Sequence, residues 1–256
     1  MLLDHPEIKD KVVAYFDTGC EQPEDQGSMH GIAVTSLLAG ETIGVAPDVK
    51  IYYAAAPSWK KDAKYYADGL NWIIEQNKAL PEGEKIRIVS VSAAPQSENN
   101  WFANGDDWIK AVEAANADGI MVIDCRSSYE TGFIFSSYYN IEEPENIEKC
   151  EVGFPGDNER DYSKEHWNGR IFAPSSLRTV AQEYKEGEFN YRYDGVGGLS
   201  WSIPYVAGVM ALGWQIQPEL DYETMEEFLF STAYVNENKN HIINPTNFIE
   251  AVRNSK

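Results

Sequence analysis

The sequence predicts an α/β fold: a doubly wound, mostly parallel sheet with helices on both faces. Three observations predict it. Short apolar runs rich in β-branched residues alternate with segments of helical spacing along the first half of the chain. Those runs are almost continuously apolar, as strands buried on both faces are. Strict alternation of strand and helix implies right-handed crossovers and parallel neighbours.

The first strand is read at 11–16, Lys-Val-Val-Ala-Tyr-Phe, and ends at the turn Asp17-Thr18-Gly19. Small and apolar residues at helical spacing follow His30 and stop at Gly40, so 30–38 is a helix. A second strand is expected over 49–56. Residues 65–77 form a helix with Tyr66, Leu70, Ile73 and Ile74 on one face. A third strand follows at 86–92. A helix carrying Trp108, Val112 and Ala115 starts in the cap region Asp106-Asp107, and a fourth strand lies at 120–123. Residues 127–169 are polar and turn-rich, and read as a long surface insertion. Beyond it come a strand at 171–173, a hairpin within 178–193, and helices at 201–214, 222–231 and 246–254.

The 256 residues are read as one domain, 1–256, and a hydrophobic fraction of 43% is that of a globular chain. Twenty-one Lys and Arg against 41 Asp and Glu leave a net charge of −20, which repels phosphate backbones and anionic membrane faces. Neither nucleic acid nor membrane is therefore an expected partner. No apolar run reaches the roughly 18 residues of a membrane span. The first residues lack the basic and apolar pattern of a signal peptide, and three scattered cysteines (Cys20, Cys125, Cys150) form neither a disulfide framework nor a zinc cluster. These features predict a reducing, cytoplasmic location, with a secreted domain as the alternative.

Three short motifs carry candidate chemistry. Asp17-Thr18-Gly19 closes a strand at its carboxyl end, where open parallel sheets build their sites. Taken alone it is an ordinary turn. His30-Gly31 opens a helix, and His30 is one of only four histidines. Alone it is a surface or core histidine; in a site it is a general base. Gly198-Leu199-Ser200-Trp201-Ser202-Ile203-Pro204-Tyr205-Val206-Ala207-Gly208 places a serine at a helix start with Pro204 in the first turn. An N-cap is the plain reading of that serine. A nucleophile whose oxyanion faces the positive helix end is the chemical one.

Together the motifs run Asp, His, Ser, the order known from subtilisin. Gly44-Val45-Ala46-Pro47, Phe172-Ala173-Pro174 and Ser231-Thr232-Ala233 add landmarks in sequence. On these residues the chain resembles the subtilisin-like serine proteases (subtilases) from about residue 8 to 254. The resemblance implies a serine endopeptidase acting on a peptide or protein substrate through an acyl-enzyme. Ser200 would be the nucleophile, His30 the base and Asp17 the residue that orients the imidazole. Ser92, Ala93 and Ala94 would line the substrate cleft. No cofactor is required, and structural calcium is the one metal the resemblance allows.

The sequence also departs from the family pattern. By count from Gly119, Ser128, or Ser127 if the count slips by one, stands where the family places its oxyanion-hole asparagine, and Ser128 is the expected donor there. Leu199, Ile203, Tyr205 and Ala33 replace usual residues, and only thirteen positions separate Asp17 from His30. These departures support an alternative, an impaired subtilisin-like domain that binds a peptide or partner protein.

Overall fold

The computed structural model describes residues 2–20, 29–95, 101–126 and 132–255. Its elements follow the chain as β1 (Val12–Asp17), α1 (Met29–Ala39), β2 (Ile51–Ala55), α2 (Lys64–Ala79), β3 (Ile88–Val91), α3 (Gly105–Ala117), β4 (Met121–Asp124), β5 (Ile134–Tyr138), β6 (Glu151–Val152), β7 (Ile171–Pro174), β8 (Arg178–Gln182), β9 (Asn190–Asp194), α4 (Leu199–Ile216), α5 (Tyr222–Ser231), β10 (Tyr234–Val235), β11 (His241–Ile242) and α6 (Pro245–Asn254).

β1 pairs with β2, β3 with β4, and β7 with both β5 and β11, all parallel. Antiparallel pairing is confined to the short strands β6 and β10 and to the β8–β9 hairpin. Helices cover both faces, and β4 shows how. Met121 and Ile123 join the cluster built on α4, α5 and α6, whereas Ile120 and Val122 join the one built on α2 and α3. Side chains of a strand alternate between faces, so two apolar layers require a strand that is apolar at every position.

The expected sheet differs in two ways. Among the described residues it is not continuous: β1–β2 and β3–β4 stand as separate hydrogen-bonded pairs beside the group β10-β11-β7-β5-β6. The segment 127–169 is also not wholly a surface insertion. Its residues 134–138 form β5, whose first four residues are buried and which lies against β7. The two serines in Ile-Phe-Ser-Ser-Tyr mask a core strand, because Ser136 and Ser137 are fully buried there.

α4 is apolar around its whole circumference, which marks a helix with no solvent face. Every residue from Trp201 to Met210 is buried. It packs on α1 and on β3, β4, β5 and β7. Gly208 allows a close approach to the segment after α1, since a Cβ there would lie 2.7 Å from the Val45 Cβ. α5 starts at Asp221, whose carboxylate accepts the Thr224 N–H at 2.8 Å. α6 starts at Asn244 with Pro245 behind it, a standard N-terminal pairing.

Gly208→Ala should therefore lower stability by about 1–3 kcal/mol through overpacking against Val45. A denaturant midpoint unchanged from the parent would show that the two segments can separate without cost.

Candidate active site

Ser200 is the second residue of α4. The N-cap is Gly198, and no side chain caps the helix. The serine hydroxyl is thus not spent on capping. Pro204 explains what the serine's carbonyl does instead. Proline has no N–H, so it cannot donate to the carbonyl four residues earlier. That carbonyl belongs to Ser200, and it accepts the Ser92 hydroxyl at 2.9 Å. In return the Ser200 hydroxyl faces the Ser92 carbonyl at a long 3.4 Å and the Cys125 Sγ at 3.7 Å. The α4 N-terminus is in this way fastened over the carboxyl ends of β3 and β4.

Ser202, two residues on, is fully buried and donates to the Ala173 carbonyl at 2.8 Å. It is a structural hydroxyl. Gly197, just before the helix, passes so close to the chain at Ser175 that a Cβ would lie 1.9 Å from its carbonyl oxygen. The Gly197 N–H reaches the Ser176 hydroxyl at 3.1 Å. The turn feeding Ser200 is therefore held from both sides.

His30 is the second residue of α1 and is half-buried. Its ring lies 5.3 Å from the Trp201 ring, centroid to centroid. Burial holds its pKa below the usual imidazole value. The packing of α1 on α4 brings His30 beside the residue that follows Ser200.

Asp17 is exposed at the end of β1. Its Oδ1 accepts the N–H groups of Gly19 at 2.8 Å and Cys20 at 2.6 Å, the closed turn that Asp-x-Gly chemistry favours. Among the described residues no hydrogen bond joins Asp17 to His30 or His30 to Ser200. The structure brings His30 and Ser200 to one helix pair, whereas Asp17 stands at the end of β1. Ser128 lies outside the described residues. Of the expected substrate strand, Ser92 is bound to Ser200, and the Ala93 carbonyl is occupied by the Cys125 N–H at 2.9 Å. Ala94 carries no such tie among the described residues.

Two residues that the motifs did not point to stand at the site. Cys125 touches the Ser200 hydroxyl, and burial pushes its thiol up to about 12, so it stays neutral. Asp124 is buried and holds the exit from β4. It accepts from the Trp108 indole at 3.2 Å, and its Oδ1 accepts both the backbone N–H of Arg126 at 3.0 Å and the Arg126 Nε at 2.7 Å. A polar residue ending an otherwise apolar strand was the available signal for it.

A cavity of about 860 Å³ opens between β2 and β3. His30 and Ser92 border it, but neither Asp17 nor Ser200 does. Among the described residues there is no group of three or more His, Cys, Asp or Glu side chains that could hold a metal ion. No helix there is long and apolar enough to cross a membrane.

Residues 4–137 match the Subtilase family model. The fold is similar to fervidolysin from Fervidobacterium pennivorans, described as a keratinolytic enzyme related to subtilisin. That match has 16% identity and a TM-score of 0.67, over 96% of this chain and 40% of the other. The prenylagaramide maturation protease PagA matches at 16% identity and a TM-score of 0.62, over 98% and 90% of the two chains. A cold adapted subtilisin-like serine proteinase matches at 18% and 0.61, over 94% and 82%. The chain thus spans less than half of fervidolysin, and identities this low speak for the fold alone. No curated protein sequence matches.

The Ser92–Ser200 tie is testable. Ser92→Ala should cost about 1–3 kcal/mol, because it leaves the Ser200 carbonyl without its partner. Ser92→Thr, which keeps the hydroxyl, should cost much less. Equal denaturant midpoints for the two variants would mean that the Ser200 carbonyl does not depend on the hydroxyl.

Proposed function

The chain belongs to the subtilase family, and on that premise we propose that it is a serine endopeptidase in which Ser200 is the nucleophile. The supporting observation is the serine's placement. Its hydroxyl is free of capping, it stands at a helix N-terminus over the carboxyl ends of two parallel strands, and a half-buried histidine packs against its neighbour.

In this reading Ser200 Oγ attacks the scissile carbonyl carbon while His30 takes its proton. The tetrahedral intermediate collapses, the C–N bond breaks, and His30 returns the proton to the leaving amine. Water then hydrolyses the acyl-enzyme by the same exchange in reverse. The first N–H groups of a helix have no partner within it, so the start of α4 offers backbone donors to the oxyanion. Ser128 is assigned the second donor, as a shorter hydroxyl in place of a side-chain amide. Asp17 is assigned the orienting carboxylate. With Oδ1 engaged in its own turn, Oδ2 is the oxygen it would use. Ser92, Ala93 and Ala94 border the cleft for an extended peptide or protein substrate.

The second reading, an impaired domain that binds peptide without cleaving it, is favoured by one observation: among the described residues no hydrogen bond connects the three assigned residues. A fluorophosphonate probe separates the two readings. Endopeptidase chemistry requires covalent labelling at Ser200 that Ser200→Ala abolishes. Labelling mapped to Ser202 would refute the assignment, and none at all would favour the binding domain.

The pH profile gives an independent check. Only neutral imidazole can take the proton, and burial lowers the His30 pKa. The acid limb of kcat/KM should therefore lie below the ordinary value of about 6.5, with full activity above it. The same sign applies to stability. The unfolded chain binds the His30 proton first, so this contribution is complete above about 6.5 and is lost as pH falls toward the folded value. A limb centred above pH 7 would exclude His30 as the base.

A further inference from the structure

Two buried carboxylates stand where the segment before β1 lies against the β8–β9 hairpin, and only one of them is fully supplied with donors. Glu7 accepts the Thr42 N–H at 2.9 Å, the Thr42 hydroxyl at 2.5 Å and the Tyr191 hydroxyl at 2.7 Å. Burial works against its charge, but these bonds outweigh it and hold its pKa below the ordinary value. Glu183, just past β8, is fully buried as well. Its Oε1 accepts the Gly187 N–H at 3.0 Å, whereas no donor among the described residues reaches its Oε2. What lies within hydrogen-bond reach of this carboxyl is a second carboxyl, that of Asp4.

Two ionised carboxylates in contact repel, and both offer only acceptor oxygens. The contact becomes a hydrogen bond when one of them carries a proton. Burial and the facing Asp4 carboxylate push the Glu183 pKa up, against the Gly187 N–H. A proton also fits where nothing larger does, since Oε2 has essentially no exposed surface. The other charged groups nearby are accounted for. Glu186 adds to the negative field. Lys185 pairs with Glu188 at 3.3 Å, Arg192 with Asp194 at 2.5 Å, and Lys11 with Glu41. His5 accepts the Glu7 N–H on Nδ1 at 3.2 Å and donates from Nε2 to the Asn190 carbonyl at 3.1 Å, which is the neutral form. The titratable side chain of α1, which packs on β8, is His30 in its first turn.

We propose that Glu183 is protonated when the segment before β1 is docked, and that its hydroxyl donates to the Asp4 carboxylate, making a proton-operated latch between that segment and the hairpin. The hairpin runs on through Gly195, Gly197 and Gly198 into Ser200, so the latch holds the chain that feeds the candidate nucleophile. It does not depend on hydrolysis. The sign follows from Glu183 and Glu7 together. The Glu183 contribution is fully present below the ordinary value of 4.5 and is lost as pH rises through its raised folded value. The Glu7 contribution is fully present above 4.5 and is lost as pH falls through its lowered folded value. Docking is therefore tightest near 4.5 and loosens toward neutral pH.

Two readouts on the full chain test it. The carboxyl carbon of Glu183, followed by NMR against pH, should titrate above 4.5. Amide hydrogen exchange, corrected for the intrinsic rate at each pH, should report the docking at the Glu7, Glu41 and Thr42 amides, which the segment ties. Their protection should fall between pH 4.5 and about 7.5, by about tenfold for each pH unit by which the Glu183 midpoint exceeds 4.5. Amides of β7 should hold their protection. Glu183→Gln, neutral at every pH and still a donor, should protect the three amides equally at both ends of the range. Asp4→Asn supplies a donor to the Glu183 carboxylate, so it should remove the loss and bring the midpoint down, and it stands in if Glu183→Gln does not fold. A Glu183 midpoint at or below 4.5 overturns the proposal. So does a loss of protection that persists in Glu183→Gln, which assigns the effect to His5. Protection restored at neutral pH by millimolar calcium in the parent makes the pair a cation site and also overturns it.

Discussion

The burial of α4 is the constraint on which the rest of the structure depends. Ten successive residues, Trp201 to Met210, have no access to solvent worth counting. Such a helix has no face on which to slide, so its position is fixed by β3, β4, β5, β7 and α1 at once. Everything at its N-terminus inherits that precision. Gly208 sets how near the segment at Val45 can come, and Pro204 decides which backbone group is released at the start. The released carbonyl is then caught by Ser92. A helix-breaking residue and a strand-end hydroxyl thus act together to anchor one serine.

The surroundings of that serine are arranged to be neutral. Burial raises the Cys125 thiol and lowers the His30 imidazole, so both favour their uncharged forms at neutral pH. The carboxylate of Asp124 is kept in check by the Arg126 guanidinium, the Arg126 N–H and the Trp108 indole. Held neutral, the thiol beside Ser200 is unreactive, since the thiolate is the reactive form.

Much of this was legible in the sequence. The alternation of apolar runs and helix-spaced segments located β1 to β4 and α1 to α3, and residues 222–231 coincide with α5. The motif around Ser200 led to the right helix start, because glycine and proline have few interpretations there. β5 escaped because period and hydrophobicity both fail in Ile-Phe-Ser-Ser-Tyr, where burial of two serines is decided by tertiary neighbours. The role of Pro204 escaped for a related reason. Its missing N–H is visible in the sequence, but the Ser92 hydroxyl that answers it stands 108 residues from Ser200. Asp17 shows the opposite limit: its tripeptide is as expected, yet local turn bonds account for the contacts it makes.

Asp17 and the divided sheet belong to one argument. His30 and Ser200 are on α1 and α4, which pack directly together, and α4 sits on β3 and β4. Asp17 ends β1, on the outer side of β2, and so belongs to the other strand pair. His30 has no hydrogen-bond partner among the described residues, and it borders the carboxyl end of the cavity that Asp17 does not reach.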